Sequence, residues 1–516
     1  MAQAAVLLLT ALVGCTASTQ PALKTRPITG PWPQAFPAKD LCSNCGLCRT
    51  AVGVASVKDA CAFLGDGMSR AESMEPIIHG RGREYNENDL SEAHWGVHTN
   101  IVLARGVGVA DAQWTGVATG MATAWLESGA VDAVVVAGSS DESSFGAPEP
   151  VLCRSVDEIQ RGRRVKPSLC PSLAVLDEIR ADPTIRRLLF CGVGCAVQAL
   201  RALGKGTPEA SLGLDDGGLF VLGTHCVDNS PSPEAARRFV AAIPGIGEER
   251  ANDVKAYEFM ADFRVHARLK DTTNGNGASS SGGGETVVKQ AYMTLPPSIG
   301  IPSIASSCFA CFDYTNGLAD IVVGYMGAPF DGGADEMTDA ALMVTVRNAR
   351  GQSMLDEAVR RGRVEILQSG GRGGAGLPSS GDRGAITMKT VEADSMVQSL
   401  TDPAYAPADA GAPPLVANFL ASMIAKGLPK GLEFGRFSID YHYLRNQLYC
   451  EATMGADGAN RHVPKYARAL MARYADEMSG LRDKQGEAGD RAQEPQERSG
   501  PLQEVVAWLA LLGLLI

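Results

Sequence analysis

Between Asn100 and about Gly327, short apolar runs alternate with amphipathic stretches. That is the pattern of buried strands joined by helices. Val131–Gly138 reads as a buried strand, preceded by a helix over Val117–Ser128. Arg187–Gly194 reads as a strand and turn leading into a helix over Ala196–Leu203, and Leu219–Gly223 as a further strand. The alternation predicts an α/β core with a central mixed sheet. Elsewhere the pattern changes. Pro37 to about Arg83 is rich in cysteine and glycine and has little periodic hydrophobicity. It cannot build a core alone and needs an inorganic centre to hold it. Leu415–Met478 is helical in character, and the charged stretch after Ser479 reads as disordered. Asn274–Gly284 and Ser369–Gly381 are glycine-rich and read as flexible loops; neither has the order of a Walker loop.

The two ends carry other signals. Met1–Ser18 has no charged side chain, an apolar stretch Ala4–Val13 and small residues Gly14–Ser18. This resembles a secretory signal, although the usual positive charge is missing. Thr19–Lys39 then has three basic residues, three hydroxyls and no acid, as transit peptides do. Together they form the bipartite leader expected for plastids entered through the secretory route; a plain transit peptide is the alternative. No internal segment reaches the ~20 apolar residues needed to span a bilayer. Val505–Ile516 is wholly apolar, and fits a peripheral anchor or a docking segment.

The net charge of −11 argues against a general nucleic-acid binder. It would repel an acidic electron carrier unless a local patch overrides it; Arg161-Gly162-Arg163-Arg164 is one such run, or else a solvated face. The thirteen cysteines are an odd count, unsuited to complete disulfide pairing. In Cys42-x-x-Cys45-x-x-Cys48 the gaps let three thiolates converge on a cubane, and Gly46 permits tight approach. A bacterial ferredoxin run would place its fourth cysteine three residues on, before proline; here the next is Cys61, which is expected to close the same cluster. A zinc knuckle or oxidised thiols are the alternatives. A second set, Cys195, Cys226 and the pair Cys308/Cys311, includes two residues just past predicted strands, where α/β folds present functional groups. These four suit a second [4Fe-4S] site, against the alternative of buried free cysteines.

Several stretches carry a resemblance. Asp313-Tyr314-Thr315-Asn316-Gly317-Leu318-Ala319-Asp320-Ile321-Val322-Val323-Gly324-Tyr325-Met326-Gly327, with Cys226-Val227-Asp228-Asn229, resembles the beta subunits of deazaflavin-reducing hydrogenases. Gly65–Arg70, His79–Arg83, Ala112–Gly116, Phe190–Cys195 and Gly431–Phe434 resemble more closely their photosynthetic relatives. Those are the 7-hydroxymethyl chlorophyll a reductases and the ferredoxin-dependent divinyl 8-vinyl reductases, and the resemblance covers about Pro37 to Tyr474. It implies one FAD and two [4Fe-4S] clusters. The hydrogenase subunits look as though they keep only the set matching Cys195, Cys226, Cys308 and Cys311, and the pigment reductases add that matching Cys42, Cys45, Cys48 and Cys61. Cys191 is spare, and Cys15, Cys153, Cys170 and Cys450 have no assigned role. FAD is expected near Gln113, Trp114, Thr115 and Gly116, where a turn opens a helix and offers free N–H groups, with Lys166 and Ser168 also lining it; an ordinary Thr115 helix cap is the alternative.

The expected organisation is a leader over 1–39, a small ferredoxin-like iron-sulfur segment over 40–99, a catalytic domain over 100–330, a helical C-terminal region over 331–478 and a disordered tail over 479–516. Ferredoxin gives one electron at a time, whereas reduction of a hydroxymethyl or vinyl group takes two; a flavin can hold both and release hydride. His79 and His98 are candidate proton donors, or structural hydrogen-bonders. The expected partners are reduced ferredoxin, a chlorophyll-type tetrapyrrole substrate and further copies of the chain, with no nucleic acid and at most peripheral thylakoid contact. The hydroxymethyl pigment is the preferred substrate. Gly327-Ala328-Pro329-Phe330 resembles the vinyl reductase and keeps that alternative open, as does an electron-relay subunit of a larger complex.

Overall fold

A computed structural model describes residues 38–139, 145–270, 285–330 and 336–491. The predicted leader up to residue 37, the Asn274–Gly284 stretch and the apolar C-terminal residues lie outside these. The alternating region forms β1 (Asn100–Gly106), β2 (Ala133–Ser139), β3 (Pro148–Cys153), β4 (Leu188–Gly192) and β5 (Leu219–Thr224). β6 (Val254–Met260), β7 (Arg264–Lys270) and β8 (Glu285–Ala291) make a separate antiparallel sheet. β9 (Ile321–Gly324), β10 (Leu342–Val346) and β11 (Val364–Ser369) return to the first, which has eight strands in the order β11-β1-β10-β9-β5-β4-β2-β3. The sheet is mixed: β2, β4, β5 and β9 pair in parallel, and the outer pairings are antiparallel. Two of its strands come from beyond residue 330.

The apolar runs are explained by burial on both sheet faces. Leu188, Leu189 and Phe190 of β4 and Leu219, Val221 and Leu222 of β5 are fully buried, as central parallel strands require. The helix before β2 spans Val117–Glu127, and that after β4 spans Gly194–Arg201. Because β4, β5 and β9 run in parallel, their carboxyl ends open on one side of the sheet, where ligands bind in such folds. Residues 38–99 contain short turns and helices and, among the described residues, no strand of the sheets.

Two expectations are corrected. Ser369–Gly381 is not a free loop. Gly373 N–H donates to His98 Nε2 (2.9 Å), Arg372 pairs with Glu84 and Glu92, and β12 (Ser379–Ser380) pairs with β13 (Lys430–Gly431). The charged stretch after Ser479 is helical as far as Arg491, within the helix Ala475–Arg491. Met478 and Leu481 are buried, and Arg482 pairs with Glu451 (3.0 Å), so packing supplies what composition does not.

Among the other C-terminal helices are Pro414–Gly427, Leu432–His462 (interrupted at Gly455, φ 70°) and Lys465–Met471. Asp440 anchors the longest. It is 1 % exposed and accepts from His94 Nε2 (2.8 Å), Arg383 Nε (2.9 Å) and Tyr474 Oη (3.0 Å). Burial works against its charge, yet His94 and Arg383 outweigh burial and hold the carboxyl below its ordinary value. Removing it strips His94 and Tyr474 of this buried acceptor and leaves Arg383 paired with Glu433, so Asp440→Ala should cost about 1–3 kcal/mol in denaturant unfolding. A depressed carboxylate stabilises above its unfolded pKa and ceases to as pH falls through the folded one. The gap between wild type and variant should therefore narrow below about pH 4.

Candidate redox site

The Cys42–Cys48 turn uses two left-handed residues, Asn44 (φ 54°) and Gly46 (φ 89°). A Cβ on Gly46 would stand 2.8 Å from Ala174 N and 3.0 Å from Pro171 O, so only glycine seats the turn there. Leu173 N–H donates to Cys45 O (2.8 Å), completing the dock. Cys61 follows the short helix Val57–Ala60, and Arg70 fixes its turn by donating to Cys61 O (2.9 Å) and Leu64 O (2.8 Å). Burial pushes the Cys42 thiol up to about 12, and Cys48 and Cys61 push the same way. Cys48 and Cys61 are also raised by burial. Cys45 is raised well above its ordinary value by burial and by Cys61.

The second set is gathered from β4, β5 and one loop. Cys195 lies in the first turn of Gly194–Arg201, Cys226 follows β5, and Cys308 and Cys311 bracket a turn. That turn hangs from the C-terminal helices by its carbonyls. Asn446 Nδ2 donates to Cys308 O (3.0 Å) and Cys311 O (2.7 Å), while Tyr443 and Tyr466 both donate to Phe312 O (2.6 and 2.8 Å). Backbone N–H groups of Asn229 and Asp313 point at the sulfurs of Cys308 (3.3 Å) and Cys311 (3.5 Å). Asp228 receives both guanidinium nitrogens of Arg445 (2.8 and 2.9 Å). Burial opposes its charge, but Arg445 and His442 hold it far below the carboxylate range. Cys226, Cys308 and Cys311 are all raised, first by burial, and each also feels Cys195.

The sets meet at Cys195, which adds to the rise of Cys45 and is itself raised by burial, Asp313 and Cys61. The twelve cysteines among the described residues form no disulfide. Nor, among those residues, are three or more His, Cys, Asp or Glu groups gathered as a single metal ion would need. A cubane gives each thiolate its own iron corner, so its ligands stand further apart than those of one ion. The donor chemistry fits such a group: these are soft thiols in surroundings that disfavour thiolate unless a cationic centre lies alongside.

A cavity of about 410 Å³ adjoins the second set at the carboxyl ends of β4, β5 and β9. Cys45, Cys195, Cys226, Cys308 and Cys311 line it, and so do Gln113, Trp114, Gly116, Lys166 and Ser168. Trp114 stacks on Tyr325 (centroids 5.0 Å apart, planes at 16°), offering a flat platform. Gln113 ties three segments: its Oε1 accepts from Val165 N–H (3.0 Å) and its Nε2 donates to Tyr257 O (3.1 Å). Lys166 Nζ donates to Arg163 O (2.7 Å); burial, then Arg164 and Arg163, brings its pKa down to about 8. Thr115 stands behind the wall, where its hydroxyl accepts from Gly106 N–H (3.1 Å) and secures the turn to β1.

Neither histidine named as a proton donor lines the cavity. His79 Nε2 lies 2.8 Å from Gly317 O and its Nδ1 3.2 Å from Asn348 Nδ2; His98 Nδ1 lies 2.8 Å from Gly96 O. Burial lowers each to about 4, so both are neutral hydrogen-bonders that brace loops. The cavity instead presents two residues that the sequence pattern does not single out: His225, whose ring nitrogens are buried without a hydrogen-bond partner, and Glu258 in β6. The available signal was position, since His225 directly precedes Cys226 and Glu258 interrupts the run Ala256-Tyr257-Glu258-Phe259-Met260.

Residues 107–177 match the N-terminal family model of the Coenzyme F420 hydrogenase/dehydrogenase beta subunit, and residues 185–369 match the model of its C terminus. The chain is 42% identical over 440 residues to 7-hydroxymethyl chlorophyll a reductase, chloroplastic, of Oryza sativa subsp. japonica, covering 85% of this chain and 83% of the rice protein. An uncharacterized protein of Nostoc sp. is 35% identical over 85% of this chain and 94% of its own length. The Coenzyme F420 hydrogenase subunit beta of Methanosarcina barkeri is 26% identical over 54% of this chain and 84% of its own. A solved structure of the F420-reducing [NiFe] hydrogenase complex from Methanosarcina barkeri aligns with a TM-score of 0.40 at 22% identity, covering 53% of this chain and 83% of that one. The chain therefore belongs to the coenzyme F420 hydrogenase/dehydrogenase beta-subunit family, alongside 7-hydroxymethyl chlorophyll a reductase, and is an oxidoreductase.

Proposed function

We propose that the chain is a plastid, ferredoxin-dependent reductase of 7-hydroxymethyl chlorophyll a that holds one FAD and two [4Fe-4S] clusters. The observation that carries this reading is that Cys45 of the first cysteine set lines one cavity together with Cys195, Cys226, Cys308 and Cys311 of the second. The similarity to the rice enzyme supports the choice of pigment and of compartment. The first cysteine set lies ahead of both matched family segments, as an appended electron port on the same chain would.

When bound, the clusters supply single-electron transfer and the flavin supplies hydride. The chain's residues do the rest. Cys42, Cys45, Cys48 and Cys61 would hold the ferredoxin-like cluster and Cys195, Cys226, Cys308 and Cys311 the inner one. Gln113, Trp114 and Gly116 would seat the FAD, with Lys166 and Ser168 lining the same cavity. Further copies of the chain would cover the open edge of β11, where Ile366 and Leu367 are exposed.

Serine at Cys195 should remove about half of the bound iron and sulfide, as seen by metal analysis and electron paramagnetic resonance. Serine at Cys42 should spare the inner cluster and abolish reduction by ferredoxin, while small-molecule reductants still reduce the protein. Purified chain with reduced ferredoxin should convert 7-hydroxymethyl chlorophyll a and leave 8-vinyl pigment unchanged. Reduction of the vinyl pigment alone would transfer the assignment to vinyl reduction, and turnover of neither would favour the relay-subunit reading.

A further inference from the structure

Reducing a hydroxymethyl group to methyl cannot stop at hydride delivery. The carbon–oxygen bond breaks with both electrons on oxygen, the hydride pair forms the new carbon–hydrogen bond, and oxygen leaves as water only when a proton reaches it. One hydride and one proton thus give methyl and water. The proton donor has to face the cavity, and most titratable groups there are committed elsewhere. Asp228 is held as carboxylate by Arg445. Asp313 accepts from Gln198 Nε2 and Gly317 N–H, both at 2.7 Å. The Lys166 ammonium donates to Arg163 O.

Glu258 differs. It lines the cavity from β6, and its carboxyl meets two neutral donors, Gln113 Nε2 (3.3 Å) and Phe259 N–H (3.1 Å). Tyr257 and Tyr325 also line the cavity, and burial shifts both upward so that they stay protonated near neutral pH. Opposite it on β7, His266 pairs with Asp262 (2.8 Å), and Arg268 donates to Ala112 O (2.7 Å). Resting on the reading above, we infer that Glu258 is the general acid that delivers its proton to the departing oxygen. Burial supports the role by lifting its pKa to about 7, so the proton is present at the pH of use and can be surrendered.

The test compares holoenzyme with Glu258→Gln and Glu258→Asp, using reduced ferredoxin and 7-hydroxymethyl chlorophyll a. Glu258→Gln should keep its cluster and flavin absorbance and its KM, while kcat falls about 10²–10⁴-fold; Glu258→Asp should recover part of that. Wild-type kcat should fall as pH rises through about 7, a limb absent in Glu258→Gln. Infrared difference spectra of substrate-free holoenzyme should show a protonated-carboxyl band titrating in that range and missing in Glu258→Gln. A Glu258→Gln variant within threefold of wild type, or one keeping the alkaline limb or the band, overturns the assignment alone. A wild type that reduces neither pigment overturns the underlying reading as well.

Discussion

Everything in this molecule depends on holding half-buried sulfurs away from most of the solvent. Neutral thiols tolerate an apolar interior, whereas a thiolate there is costly unless a cation stands against it. Burial dominates the upward shift at each of Cys42, Cys45, Cys48, Cys61, Cys195, Cys226, Cys308 and Cys311. The fold thus makes these cysteines poor free anions. Scaffold and chemistry are set by one constraint.

The sheet explains where that chemistry sits. Parallel β4, β5 and β9 end on one side, and each delivers something there: Cys195, the pair His225–Cys226, and Tyr325. Cys308 and Cys311 arrive on a loop that has no strand to aim it. Its position is fixed from outside, by Asn446, Tyr443 and Tyr466 on its carbonyls. A polar side chain at 0 % exposure within the helix Leu432–His462 has this task as its explanation.

Much of this was legible along the chain. β2, β4 and β5 fall on short apolar runs bounded by glycine, because strands buried on both faces leave no ambiguity in the pattern. The cysteine groups were visible as spacing. What spacing does not contain is the third dimension. His79 and His98 stand in stretches that invite a catalytic role, yet both are neutral braces, and Thr115 belongs to a turn rather than a wall. Glu258 and Asn446 went unseen for the opposite reason, since a lone polar residue in an apolar run looks like noise until its partners are known. The Ser369–Gly381 segment and the helix beyond Ser479 show composition yielding to tertiary contacts.

The clasp between the two ends of the described chain bears on how the molecule comes into being. Ser69 donates to Arg461 O (2.7 Å), Tyr466 N–H reaches Glu72 (3.1 Å), and the Cys308–Cys311 turn takes its hold from Asn446. Contacts so distant in sequence form late, because long loops must close first. A nascent chain emerging from the ribosome has made Cys308 and Cys311 before the helices that position them exist. The Cys308–Cys311 turn therefore takes its final position only once the last helices are in hand.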